Sequence, residues 1–205
     1  MSIRFHSHVT IDEAARGQII NGLNDLLACT LDLSSQVKQA HWNVRGAQFM
    51  SRHLMFDNLY AHLVASGDLI AERIGQLGGY AKGTVRMASA SSTLSEHDAE
   101  AVQGNEHVRS LTERYGELGT QLRQQIRACE EMKEPVTVDL CTEVLRNLEL
   151  DMWFLESHLE SGHAKELEQS PAKTNGTRAD GDGQRPTEDR ARTAPAGTPA
   201  TPSRS

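Results

Sequence analysis

The chain is poor in aromatic side chains, with four Phe, three Tyr and two Trp in 205 residues. Its apolar content must therefore come from Leu, Ile, Val and Ala, the usual filling of a helical bundle. Strand signals and internal repeats are absent. No apolar run is long enough to cross a bilayer, and Met1 opens no charged-then-apolar leader, so the expected location is the cytoplasm. Cys29, Cys129 and Cys141 are odd in number and show no CxxC spacing. Each lies on or beside an apolar helical stripe, as expected of buried thiols in a reducing compartment. Positive charge is also short: 21 Lys and Arg face 28 Asp and Glu, a net charge of -7. That balance does not suit a protein built around phosphate contact, and it suits one that attracts cations.

The periodicity predicts an all-α fold. Residues 1–10 form a short arm, expected to be loosely held. A first helix is expected over 12–43, with Ile20, Leu23, Leu27, Leu31, Ser34, Val37 and His41 on one stripe. A second runs over 47–77 and stops at Gly78-Gly79. Residues 80–95 read as a long crossover, the length needed to join parallel helices across a four-helix bundle. A third helix carries Val108, Leu111, Tyr115, Leu118, Leu122, Gln125 and Cys129, and Pro135 marks its end. A fourth carries Val138, Cys141, Leu145, Leu148, Met152, Leu155 and Leu159. The domain is expected to span 11–163. From 164 onward the chain is rich in Pro, Thr, Ala and Gly, without apolar periodicity, and is expected to be a disordered tail.

Five metal-capable side chains stand at helical spacing: His41, His53, Asp57, Asp68 and Glu72. His53 and Asp57 share one face of the second helix, as do Asp68 and Glu72. The two pairs fall on one stripe but stand roughly 16 Å apart at ~1.5 Å per residue. Bonds from metal to such ligands are only about 2.0–2.2 Å long. One helix cannot close that gap, whereas two antiparallel copies about a two-fold axis can. A single polar pair is ordinarily a solvated face, but Ala61, Val64, Ala71 and Gly75 share the stripe with these acids, where a wet face would carry Lys, Gln and Glu. The face is therefore expected to be buried against a partner, and buried acids need a compensating charge. His41 closes the stripe of the first helix. It reads either as a satisfied core histidine or as a fifth ligand.

The run QVKQAHWNVRGAQFMSRHLMFDNLY, followed by GDLIAERIGQLGG, resembles the Dps family, the mini-ferritins of bacteria, over about residues 10–162. The resemblance implies a ferritin-like four-helix bundle assembled as a hollow dodecamer. It implies that His41, His53 and Asp57 of one subunit, with Asp68 and Glu72 of its two-fold mate, form a dinuclear iron centre that oxidises Fe(II), preferably with hydrogen peroxide. It also implies ferric mineral stored inside the shell and protection from oxidative stress. Trp42 matches a family tryptophan near the iron, a sink for stray oxidising equivalents. Its other reading is a core or interface aromatic. Glu130, Glu131, Glu134, Asp139 and Glu143 surround a turn that lines iron-admitting three-fold pores in the family, with Asp139 and Glu143 taken as the pore residues.

DNA is the alternative partner the resemblance raises, with a nucleoid location. In several members of the family a Lys-rich N-terminal arm supplies such contacts, yet residues 1–30 hold only Arg4 and Arg16, against Asp12, Glu13 and Asp25. The tail holds seven cations and six acids. Twelve such tails could bind DNA by avidity, and a merely solvating tail is the competing reading. His6 and His8 make a peripheral metal pair or nothing. Two further alternatives to an iron oxidase are a structural zinc site and a silent assembly module. The first fits poorly because carboxylates outnumber histidines; the second fits poorly with a complete ligand set.

Overall fold

The computed structural model describes residues 3–168. Five helices appear in order: α1 Glu13–Asn43, α2 Phe49–Gln76, α3 Val85–Ser91, α4 Gly104–Glu131 and α5 Pro135–Glu168. Among the described residues there is no strand, only two isolated bridges. No described helix is long and apolar enough to cross a membrane. α1 and α2 form one helical hairpin and α4 and α5 another, and the two pack face to face through α1 with α4 and α2 with α5. The core contains Ile20, Leu23, Leu27 and Val37 of α1 and Leu59, Leu63, Ile70 and Ile74 of α2. Against them lie Leu111, Tyr115, Leu118 and Leu122 of α4 and Leu148 and Leu155 of α5. In α1, α4 and α5 these are the stripes the sequence predicts. All three cysteines are buried and free. Burial pushes the Cys129 thiol up to about 11 and the Cys141 thiol to about 12, so both stay protonated and inert.

The helix ends have local causes. Asp12 caps α1, its carboxylate accepting the Ala14 and Ala15 amides at 3.0 and 3.1 Å. At the end of α2, Gly79 N–H reaches Ile74 O at 2.8 Å while Gly78 takes φ +78°, a left-handed glycine stop. Pro135 does not merely end the third long helix; it occupies the first position of α5, where its missing N–H costs nothing. Lys133 supplies the left-handed residue before it, at φ 56°. The connection from α2 to α4 is longer than expected, reaching 103, and holds a helical turn the sequence did not announce. α3 starts because Thr84 Oγ1 accepts the Met87 amide, and it packs on α1 through the buried Ala88.

The N-terminal arm is not loose. Arg4 and Phe5 donate backbone N–H groups to Gly78 O at 2.8 and 3.0 Å, and Ser7 Oγ donates to Gln76 O. A Cβ on Gly78 would lie 2.4 Å from Phe5 O. Gly78→Ala is therefore expected to lower stability by more than about 1 kcal/mol and to release the arm. Thermal melts and limited proteolysis near residue 8 check both effects. α5 is helical to Glu168, and the remainder of the expected tail lies outside the described residues.

Candidate metal centre

α1 ends and α2 begins across a short turn, residues 44–48, in which Gly46 takes φ +107°. This turn brings His41 and His53 together. Their rings stack with centroids 3.7 Å apart and 22° between planes. Each Nδ1 meets the other residue's backbone carbonyl, at 2.9 and 3.0 Å. A carbonyl only accepts, so each Nδ1 carries its proton and donates. The bonds are reciprocal and fix both tautomers. Each neutral ring is left with an unprotonated Nε2, the form in which imidazole binds metals.

Asp57 stands beside this pair, one turn after His53, its Oδ1 3.8 Å from His41 Nδ1. It is held by a residue the sequence reading missed. Lys38 Nζ lies 2.5 Å from Asp57 Oδ1 and 4.9 Å from the Tyr60 ring centroid. The Lys38 hydrogen bond and charge hold the Asp57 carboxyl below its usual range. The signal was present: Lys38 precedes His41 by three residues and so shares its face. Trp42 is 62% exposed, which rules out a place in this chain's core. With Lys38, Tyr60, Val85 and Ala88 it lines a groove of about 650 Å³ along α1 and α3.

Asp68 and Glu72 are exposed at the far end of α2 and do not join the histidines. Among the described residues no three His, Cys, Asp or Glu side chains of this chain gather to hold a metal ion. Ala61 and Val64, between the two ends, and Gly75, beyond Glu72, are exposed as well, and a Cβ on Gly75 would meet nothing within 4 Å. The second covered face expected for α2 is thus not covered by this chain's own residues.

The pore residues divide. Glu130, Glu131, Asp139 and Glu143 are exposed, but Glu134 is not available to ring a pore. It is buried, with Oε1 3.1 Å from Arg73 Nη2, and its carboxylate accepts the Val136 and Thr137 amides at 3.2 and 2.6 Å. It ties the end of α2 to the start of α5. His6 and His8 are in edge-to-face contact at 4.5 Å, with no third ligand among the described residues.

Comparison with known proteins agrees with this architecture. The family model described as a ferritin-like domain matches residues 20–163. A protein named "DNA protection during starvation protein" from Agrobacterium fabrum (strain C58 / ATCC 33970) is 38% identical over 146 residues, 71% of this chain and 90% of its own length. The chain belongs to the Dps family. Solved Dps structures superpose on it. DpsC from Streptomyces coelicolor does so with a TM-score of 0.72 at 29% identity, covering 78% of this chain and 92% of that one. The Dps of Microbacterium arborescens, solved in a high iron form, gives 0.67 at 26% identity, covering 72% and 96%. As in those Dps proteins, the fold is an all-α ferritin-like bundle.

Proposed function

We propose that this protein is a ferroxidase that oxidises Fe(II) at a centre shared between two-fold-related subunits and stores the ferric product inside a closed shell, a dodecamer by analogy with its family. One observation carries the reading: the locked His41–His53 pair with Asp57 stands at one end of an exposed α2 stripe, and Asp68 and Glu72 stand at the other. An antiparallel second copy brings unlike ends together at two equivalent places. Gly75 and Ala61 give that copy room to approach.

In this centre His41 and His53 supply Nε2 donors of borderline softness, and Asp57, Asp68 and Glu72 supply hard oxygens that favour the ferric product. Two iron ions per centre, one held more weakly, give up one electron each. Hydrogen peroxide accepts both, its O–O bond breaks, and with two protons it leaves as two waters. Pairing the electrons avoids hydroxyl radical. Lys38 compensates Asp57 before iron arrives and must yield that carboxylate when it does. Trp42, exposed and next in sequence to His41, would take up stray oxidising equivalents. Asp139 and Glu143, exposed near the start of α5, are the candidates for the cation entry route.

The test is anaerobic Fe(II) loading followed by a peroxide pulse, read by ferric absorbance. Asp68→Ala and Glu72→Ala should each slow oxidation at least ~100-fold, as expected when a ligand is lost, with the shell still assembled. Wild-type rates in either variant reject the site. Zinc held structurally instead of iron would give no oxidation above the protein-free blank.

DNA protection appears in the relatives' name, and DNA remains the second partner under this reading. The arm gives it little support, since residues 3–10 carry a single Arg and lie against the end of α2. A contact made by the tail would lie largely outside the described residues. The expected location is cytoplasmic, at the nucleoid if the tail binds DNA.

A further inference from the structure

α2 carries a second histidine with a different neighbour. His62 follows Asp57 by five residues and so lies about 140° round the helix from it, off the proposed iron face. His62 Nδ1 is 2.8 Å from Asp151 Oδ1 of α5. Asp151 is only 2% exposed, whereas the His62 side chain is 51% exposed. An ionised carboxylate only accepts, so Nδ1 carries a proton, and in the neutral ring Nε2 is the nitrogen that keeps a lone pair. The exposed edge of the ring lines a cleft of about 300 Å³ between α2 and α5. Asn58, one turn before His62 on the same face, lines it too.

The buried carboxylate is short of positive charge. The His62 ring, which is a cation only when protonated, is the one basic side chain within 4 Å of it among the described residues. Burial pushes the Asp151 carboxyl up, and His62 opposes this. The Tyr115 hydroxyl, wholly buried and without a hydrogen-bond partner, is close enough to feel that charge. A cation on the outer nitrogen of His62 would strengthen the Nδ1–H bond and so relieve the buried acid. A carboxylate behind an exposed imidazole is also the arrangement that orients metal-binding histidines.

We propose that His62 Nε2 anchors a metal site separate from the iron centre, for a borderline divalent transition-metal ion such as zinc(II), with the Asn58 amide oxygen beside it and Asp151 as the positioning residue. Imidazole nitrogen with one neutral oxygen and water suits that class of ion better than the hard cations.

Calorimetric titration of the assembled full-length protein with zinc chloride tests it, together with diffraction at the zinc edge. The expected result is one zinc fewer per chain in His62→Gln, and in the wild type an anomalous peak about 2.0–2.1 Å from His62 Nε2. Asp151→Asn should weaken this zinc roughly 10–100-fold. Unchanged stoichiometry in His62→Gln, or no peak at His62, overturns the site and leaves a plain ion pair between α2 and α5. Unchanged affinity in Asp151→Asn overturns the positioning role. If that variant does not fold, His62→Gln alone still decides. Fe(II) oxidation should stay at the wild-type rate in His62→Gln, so failure here and failure of the iron centre are distinguishable.

Discussion

Mixing two inactive variants should restore iron oxidation. In the proposed arrangement His53→Ala destroys one half of each shared centre and Asp68→Ala destroys the other half. Assemblies of either variant alone then have no intact centre. A mixed dimer has one centre with both defects and one with neither, because the intact histidine end of the Asp68→Ala chain meets the intact acid end of the His53→Ala chain. If chains mix at random, half the dimers are mixed, and about a quarter of all centres are whole for a two-fold site of this kind. Co-refolding equal amounts of the two variants should therefore recover about a quarter of the wild-type oxidation rate. Size-exclusion chromatography establishes that the shells are equivalent. A mixture that stays at the blank rejects the shared centre, because ligands drawn from a single chain cannot complement one another.

The second large effect concerns stability. Arg73 and Glu134 are both buried, and Arg73 also donates from Nε to Thr137 Oγ1 at 3.1 Å and from Nη1 to Gln76 Oε1 at 3.0 Å. Glu134→Ala leaves the guanidinium buried without its counter-charge, which should cost about 3–5 kcal/mol. For a chain of this size the melting midpoint then falls by roughly 10 °C, read by circular dichroism. Burial alone would raise the Glu134 carboxyl. Hydrogen bonds from Thr137 and Val136, with the charge of Arg73, outweigh burial and hold it below its usual value. A carboxyl lowered in the folded state gives stability that is full above its unfolded value, about 4.3, and lost as pH falls through the folded value. Wild type should thus lose part of its stability below about pH 4, and Glu134→Gln should lack that part. A wild-type midpoint in Glu134→Ala would mean that the network does not hold α2 to α5.

The stripes of α1, α2, α4 and α5 were legible because a bundle core repeats every three to four residues, and Leu23, Ile70, Leu118 and Leu155 obey that rhythm. The His53–Asp57 pairing was legible for the same reason. α3 was not, because it is seven residues long and begins on the Thr84 hydroxyl bond, a contact too local to leave a period. Glu134 read as one acid among several near a turn. Its partner Arg73 stands 61 residues earlier, and no spacing rule reaches that far. The arm is a similar case: residues 3–8 have no pattern of their own, and what holds them is a pair of distant backbone carbonyls, those of Gly78 and Gln76. Lys38 shares a face with His41 by spacing, but an ammonium group is not a metal ligand and so leaves no metal signal in the sequence.

The crossed bonds between His41 and His53 have a consequence for how the centre fills. In many histidine sites an incoming ion must first select the tautomer that leaves the right nitrogen free. Here each neutral ring has already committed its proton to the other's backbone. What an ion arriving at the proposed centre would still have to displace is one lysine side chain, the Lys38 ammonium held on Asp57.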